Sequence, residues 1–404
     1  MAWRKKRAGH FSIAPTLWSK ALGPCSQYQQ VDEMTDCISP RTQPEFVWER
    51  ARIAQKLVSA KQDIAQAVTG DFFFKHPDST TRYGERGREL CTADACFHVA
   101  FLAGAIEAGS PEMFGDYMRW TARMLGARGI AAHTLEENLD HLGKHLPSVL
   151  LPDESQEVLT FLTRARQAYF SPETASRTQQ SGGSLALVSR VYLAAILSGQ
   201  REAAINIIEE ALQASHSHVD IYVDVFAEAQ HRVGDLWELN KITVAQEHAA
   251  TSITEAAIAA IYPRQVSSAT YRGSMAVAGV LGEEHQIGAN LFAKIMEANG
   301  WKTRFLGTNL PHASVLAALE TSAVDVLCIS TTLVSNLPAA VGLVRTVRNK
   351  FKKAPLKIIL GGAAFKLASA RFAQEVGADD VTDLRGALTI LCGQNFRYSA
   401  KAAQ

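Results

Sequence analysis

The chain has 404 residues, 41 Lys and Arg against 40 Asp and Glu, and a formal net charge of +1. That length allows two or three domains with full cores, and the charge balance excludes a surface dedicated to binding nucleic acid. The six cysteines (Cys25, Cys37, Cys91, Cys96, Cys328 and Cys392) form no Cys-x-x-Cys pair and no zinc spacing, which is the usage of reduced thiols in a cytoplasmic protein.

Residues 1–43 are rich in Pro, Ser, Thr and basic residues without sustained periodicity, and read as a flexible tail. The Met1–Arg7 cluster reads as a solvated end. It has no apolar core for a signal peptide, and no segment reads as a membrane span. From 44 to 170 the periodicity is helical. Helices are predicted over Val47–Val68 and Arg88–Glu107, then after Ser110-Pro111-Glu112, and over Leu135–Leu150 and Val158–Tyr169. The helix count and His98, set in an apolar run, fit a globin-like sensor domain. Residues 171–183 read as a linker of Ser, Thr, Gln and Gly.

Residues 184–268 read as four short helices, the size of a small bundle. Asp235-Leu236-Trp237 closes one helical pattern. Thr243 and Gln246 form a capping box, so a helix starts at Thr243 with Glu247 and His248 in its early turns. A Trp at a helix corner also serves as a core plug.

Residues 269–395 alternate β-rich runs with helical patterns, which predicts a parallel sheet with crossover helices; 396–404 is a short tail. The runs are Ser274–Val280, Lys302–Leu306, Val324–Ser330 and Lys357–Leu360, with a weaker one over Asp379–Thr382. Ligands of such sheets bind beyond the carboxyl ends of the strands. There the chain places Glu283-x-His285-x-x-Gly288 after the first run, Ser330 after the third and Gly361-Gly362 after the fourth. A ligand His needs a group on its other ring nitrogen to fix its tautomer, and Glu283 stands two residues away. No Gly-x-Gly-x-x-Gly follows the first strand, which argues against a dinucleotide site. With no Walker loop, Gly-x-Ser-x-Gly elbow or His-Glu-x-x-His either, the chain reads as a binding protein and not an enzyme.

The Glu283/His285/Gly288 pattern resembles the lower-ligand motif of cobalamin-binding domains, Glu standing where Asp is usual. The resemblance implies a flavodoxin-like domain with His285 on cobalt, and with Ser330, Gly361 and Gly362 lining the slot for the nucleotide tail. Thr332-Leu333 matches the usual Ser-x-Leu form only loosely. Trp237 followed by Glu247-His248 resembles the upper-face signature of CarH-type cobalamin photoreceptors. That implies a four-helix-bundle cap in which Trp237 covers an adenosyl group and Glu247 and His248 hydrogen-bond around it. Where those relatives carry a His after the Trp, this chain has Glu238.

A helical domain ahead of this unit, in place of a DNA reader, is similar to photocobilins. The likeness implies biliverdin near His98, His133, His141 or His145, packed by Phe101, Tyr117 and Trp120. The expected function is light sensing through photolysis of adenosylcobalamin, with a light-dependent homo-oligomer or a downstream protein as output. The alternatives are a corrinoid carrier of a methyltransferase system and a haem-based sensor using His98.

Overall fold

The computed structural model describes residues 45–170, 185–264, 271–368 and 371–393. The expected tails and the linker over 171–183 lie outside these residues. The first unit is helical throughout: α1 (Glu45–Lys75), α2 (Pro77–Ala108), α3 (Pro111–Gly126), α4 (Ala132–His145) and α5 (Pro152–Phe170). Proline opens α2 and α3, where its missing N–H costs nothing and its fixed φ suits the first turn. Helix α2 stops because Gly109 takes φ 64°, so that the Gly109 and Ser110 N–H groups close on the carbonyls of Ile106 and Ala105.

The stretch Gly84–Ala108 is long and apolar enough to cross a membrane by length and composition, contrary to the sequence reading. It is more than half buried, with Val99, Leu102, Ala103 and Ala105 fully enclosed, so it is the central core helix of this unit. The structure supports a helical domain here; nothing in it distinguishes a globin-like arrangement.

The second unit is the expected four-helix bundle. It consists of α6 (Ala186–Leu197), α7 (Arg201–Gln213), a third helix ending as α8 (Glu228–Glu238), and α9 (Val244–Ile261). The third helix widens to π-helical turns over Ile221–Ala227, which seats Tyr222 and Phe226 in the bundle core beside Tyr192. The capping box at α9 is present: the Gln246 N–H donates to Thr243 Oγ1 at 3.2 Å, and the Thr243 N–H to Gln246 Oε1 at 2.9 Å.

The third unit is a five-stranded parallel sheet. In chain order it runs β1 (Gly273–Val280), α10 (Gln286–Ala298), β2 (Trp301–Leu310), α11 (His312–Thr321), β3 (Val326–Ser330), α12 (Leu337–Lys350), β4 (Lys357–Gly361), α13 (Phe372–Val376), β5 (Asp380–Thr382) and α14 (Leu384–Cys392). Strand order is β2-β1-β3-β4-β5, the doubly wound, flavodoxin-like order whose switch point falls between β1 and β3. Side-chain alternation divides the sheet cleanly. Ala276, Ala278, Leu327, Ile329, Ile358 and Leu360 share one core with α12 and the N-terminal helices. Met275, Val277, Val326, Cys328 and Ile359 share the other with α10, α14 and the bundle. The sheet is therefore sandwiched between the two helical units, and the carboxyl ends of β1 and β3 open where all three meet.

Candidate functional site

Two loops meet at the switch point, Leu281–His285 after β1 and Thr331–Asn336 after β3. They are tied together by one side chain. Glu283 is fully buried and accepts from His285 Nδ1 at 2.6 Å, the His285 N–H at 3.0 Å, the Thr332 N–H at 2.6 Å and Asn336 Nδ2 at 3.3 Å. Asn336 also donates to the Gly282 carbonyl at 3.1 Å, and the Gly282 N–H to Asn309 Oδ1 at 2.8 Å. The loop that presents His285 is thus held at both backbone and side chain.

With Nδ1 engaged on Glu283, His285 Nε2 makes no hydrogen bond, and the ring stays half exposed. Burial alone would push the Glu283 carboxyl up, but the hydrogen bonds from His285 and the Thr332 N–H hold it below its ordinary value. Burial would likewise push His285 down. The hydrogen bond and charge of Glu283, helped by the nearby charges of Glu247 and Glu284, carry it above its ordinary value instead. Glu247 lies in the first turn of α9. Gln286 Nε2 bonds Glu255 Oε1 of the same helix at 2.5 Å.

A corrinoid fits the remaining features. A Cβ on Gly288 would meet nothing within 4 Å, so the first turn of α10 faces open space beside His285. Gly362 has φ 111°, and a Cβ there would overlap the Thr331 carbonyl; only glycine brings these two backbones together. Thr331 is fully buried, yet its Oγ1 has no hydrogen-bond partner, and a buried polar atom left so is rare unless a ligand completes it. Ser330, half buried, pairs in the sheet with Gly361 beside it. Glu283, His285, Gly288, Ser330, Gly361 and Gly362 therefore gather at one edge, as the sequence implied. Asn309, Thr331 and Asn336 belong with them and were missed, since no spacing ties them to the motif.

The upper side differs from expectation. Glu247 accepts from Thr251 Oγ1 of its own helix at 2.9 Å. His248 is exposed and bonded only to its neighbour Glu247. The Trp237 ring leans on the N-terminal unit, with Trp120 at 6.4 Å between ring centroids and the Arg128 guanidinium 5.5 Å from its own. Glu238, which stands where the CarH-type relatives carry a His, is buried and paired with Arg123 at 2.8 Å.

In the N-terminal unit His98 is buried, its Nδ1 2.6 Å from Tyr117 Oη, and burial lowers its pKa to about 4. Tyr117 stacks on Phe101 at 3.9 Å. His141 and His145 both bond Asp71, and His133 is exposed. A cavity of about 560 Å³ between α1 and α2 is lined by polar side chains including Gln62, Gln66, Thr69, Arg88 and Thr92, not by these histidines.

Two family models match the chain, each a B12 binding domain, over residues 188–262 and 273–390. A corrinoid protein of Desulfitobacterium hafniense (strain Y51) is 21% identical over 46% of this chain and 86% of its own length. The methionine synthase of Mycobacterium tuberculosis (strain ATCC 25618 / H37Rv) is 24% identical over 57% of this chain, and the match spans 21% of the synthase. Among solved structures, the monomethylamine corrinoid protein of Methanosarcina barkeri aligns at 20% identity and TM-score 0.45, over 51% of this chain and 98% of that one. The cofactor of residues 188–390 is a cobalamin or related corrinoid. The light-sensing expectation is overturned by the relatives of this half, which are corrinoid proteins, several of them named for methylamines.

Proposed function

We propose that this chain is a corrinoid carrier: it holds the cofactor through His285 and presents a one-carbon group on cobalt to separate methyltransferases, itself catalysing no transfer. The observation that carries the proposal is the Glu283–His285 pair, anchored by both switch-point loops with Nε2 left free. Several relatives are corrinoid proteins named for methylamines, and that supports the methyl form over the adenosyl form as the working state.

A bound corrinoid supplies a cobalt centre that accepts and releases a methyl group. The chain's residues set the conditions for it. Glu283 Oε1 accepts the Nδ1 proton, so the lone pair sits on Nε2, where a metal would be met. The carboxylate stays ionised because its hydrogen bonds outweigh its burial, and a charged acceptor on Nδ1 makes Nε2 a stronger donor to a metal. Gly288 would leave room for the ring system, while Thr331, Ser330 and the Gly361-Gly362 turn would hold the tail. Adenosylcobalamin remains a second form this site can be tested with; the packing of His98 lends no support to biliverdin there.

The test is a titration of the full chain with methylcobalamin and adenosylcobalamin, followed by transfer of the methyl group to a thiol by an added methyltransferase. Tighter binding of methylcobalamin with a His-on spectrum is expected. Binding confined to adenosylcobalamin, or none with methylcobalamin, overturns the carrier reading.

A further inference from the structure

The N-terminal unit touches both walls of the cofactor site. On the cap side, α3 ends against the end of α8. Arg128 donates from Nη1 to the Glu238 carbonyl at 2.9 Å and from Nη2 to the Trp237 carbonyl at 3.1 Å. Those are last-turn carbonyls of a helix, which carry the negative end of its dipole, and the Trp237 carbonyl also accepts from the Asn240 N–H at 3.0 Å. A guanidinium from another unit caps them. Arg123 Nε bonds the buried Glu238 carboxylate at 2.8 Å, and the Trp120 and Trp237 rings stack beside the pair. On the sheet side, Gly104 of α2 packs so tightly on the Val334 carbonyl that any Cβ would overlap it. Val334 directly follows Thr332 and Leu333, whose N–H groups grip Glu283. Arg345 to Glu107 at 3.4 Å and Arg50 to Glu375 at 2.8 Å extend the same contact.

Both family matches begin beyond this unit, at residues 188 and 273. The D. hafniense relative, spanned to 86% by a match of 189 residues, leaves too little chain for a counterpart of residues 45–170. Here the turn after Trp237 leads into α9, whose Glu255 is bonded at 2.5 Å by Gln286, the residue after His285. The position of α8's end therefore sets how the cap lies over the site.

Building on the carrier reading, we propose that the N-terminal helical unit is a clamp in cis: Arg123 and Arg128 hold the Trp237–Glu238 end of the cap closed over the corrinoid site, and partner access to its upper face requires that these contacts break. Arg123, Arg128 and Glu238 are positioning residues.

The experiment uses the full chain with Arg123→Glu, with Arg123→Glu/Glu238→Arg, and with Arg128→Lys, which keeps charge but loses the two-carbonyl fork. In cofactor-free protein, amide hydrogen exchange over residues 234–241 should rise at least ~10-fold in Arg123→Glu, less in Arg128→Lys, and return to within ~3-fold of wild type in the swapped pair. After loading with aquocobalamin, cyanide should replace the upper water faster in the same order. Unchanged exchange in Arg123→Glu, or no recovery in the swapped pair, overturns the clamp. A protein that takes up no aquocobalamin while exchange follows the expected order leaves the clamp standing and removes the carrier reading.

Discussion

Replacing Glu283 separates its two roles. In Glu283→Ala the N–H groups of Thr332 and His285 lose their acceptor in a closed loop. Each stranded donor costs about 1–3 kcal/mol, so the cofactor-free chain should lose about 2–5 kcal/mol of stability. Glu283→Gln keeps an oxygen for Thr332 and should lose only about 1–2 kcal/mol. Its amide, however, can turn an NH2 toward His285, which favours a proton on Nε2 and removes the lone pair. Both variants should therefore weaken methylcobalamin binding about 10–100-fold, the range found for groups that orient a metal-ligating His. Urea unfolding followed by circular dichroism gives the first quantity, and absorbance titration the second. If Glu283→Gln bound methylcobalamin like wild type with a His-on spectrum, the orienting role would be wrong. The depressed pKa of Glu283 also fixes a sign: its contribution is complete above the ordinary Glu value and is lost as pH falls through the lower folded value. The raised His285 contributes fully below its ordinary value, and that share is lost as pH rises through the higher folded one.

His285→Ala should keep the fold and bind methylcobalamin without the His-on spectrum; an unaltered spectrum would remove the lower-ligand assignment. Gly362→Val, forced to a φ of 111° and into the Thr331 carbonyl, should lose at least ~2 kcal/mol of stability and abolish cofactor uptake, and normal uptake would mean that the tail runs elsewhere. Asp94 has a buried carboxyl oxygen with no partner, and burial raises its pKa to about 7. The folded state therefore holds that proton more tightly, and stability falls as pH rises from the ordinary carboxyl value toward 7. Asp94→Asn should then melt above wild type at pH 8 and near it at pH 4; equal melting at pH 8 would refute the assignment. In cofactor-free protein, histidine proton resonances should show His285 titrating above the ordinary value of 6.5 and His98 only near 4, with matching titrations for the two as the contrary result.

The sheet was legible because each strand is an apolar run closed by a loop, and the Glu283/His285/Gly288 spacing puts its residues within one loop and one helical turn. Periodicity and the Thr243 capping box placed the cap helices. Less legible were the long-range partners. Asn309 and Asn336 meet Glu283's loop only through the fold, and an isolated Asn in a sequence carries no sign of what it will bond. Trp237 was read by analogy as facing the cofactor, but the sequence does not disclose that Arg123 and Arg128, over a hundred residues away, meet the same helix end. Helix α2 was expected over Arg88–Glu107, but its stretch Gly84–Ala108 was not expected to be apolar enough to pass for a membrane span by length and composition. The light-sensing reading failed on a different ground: a Trp followed by Glu-His fits more than one kind of cap.

The most direct measurement is electron paramagnetic resonance of the reduced, Co(II) form bound to protein labelled with ¹⁵N-histidine. A lower imidazole from the chain splits each cobalt line into a doublet in labelled protein and a triplet in unlabelled protein, and His285→Ala should erase that difference. A triplet that persists in the labelled protein would show the cofactor's own base still on cobalt, and His285 would not be its ligand.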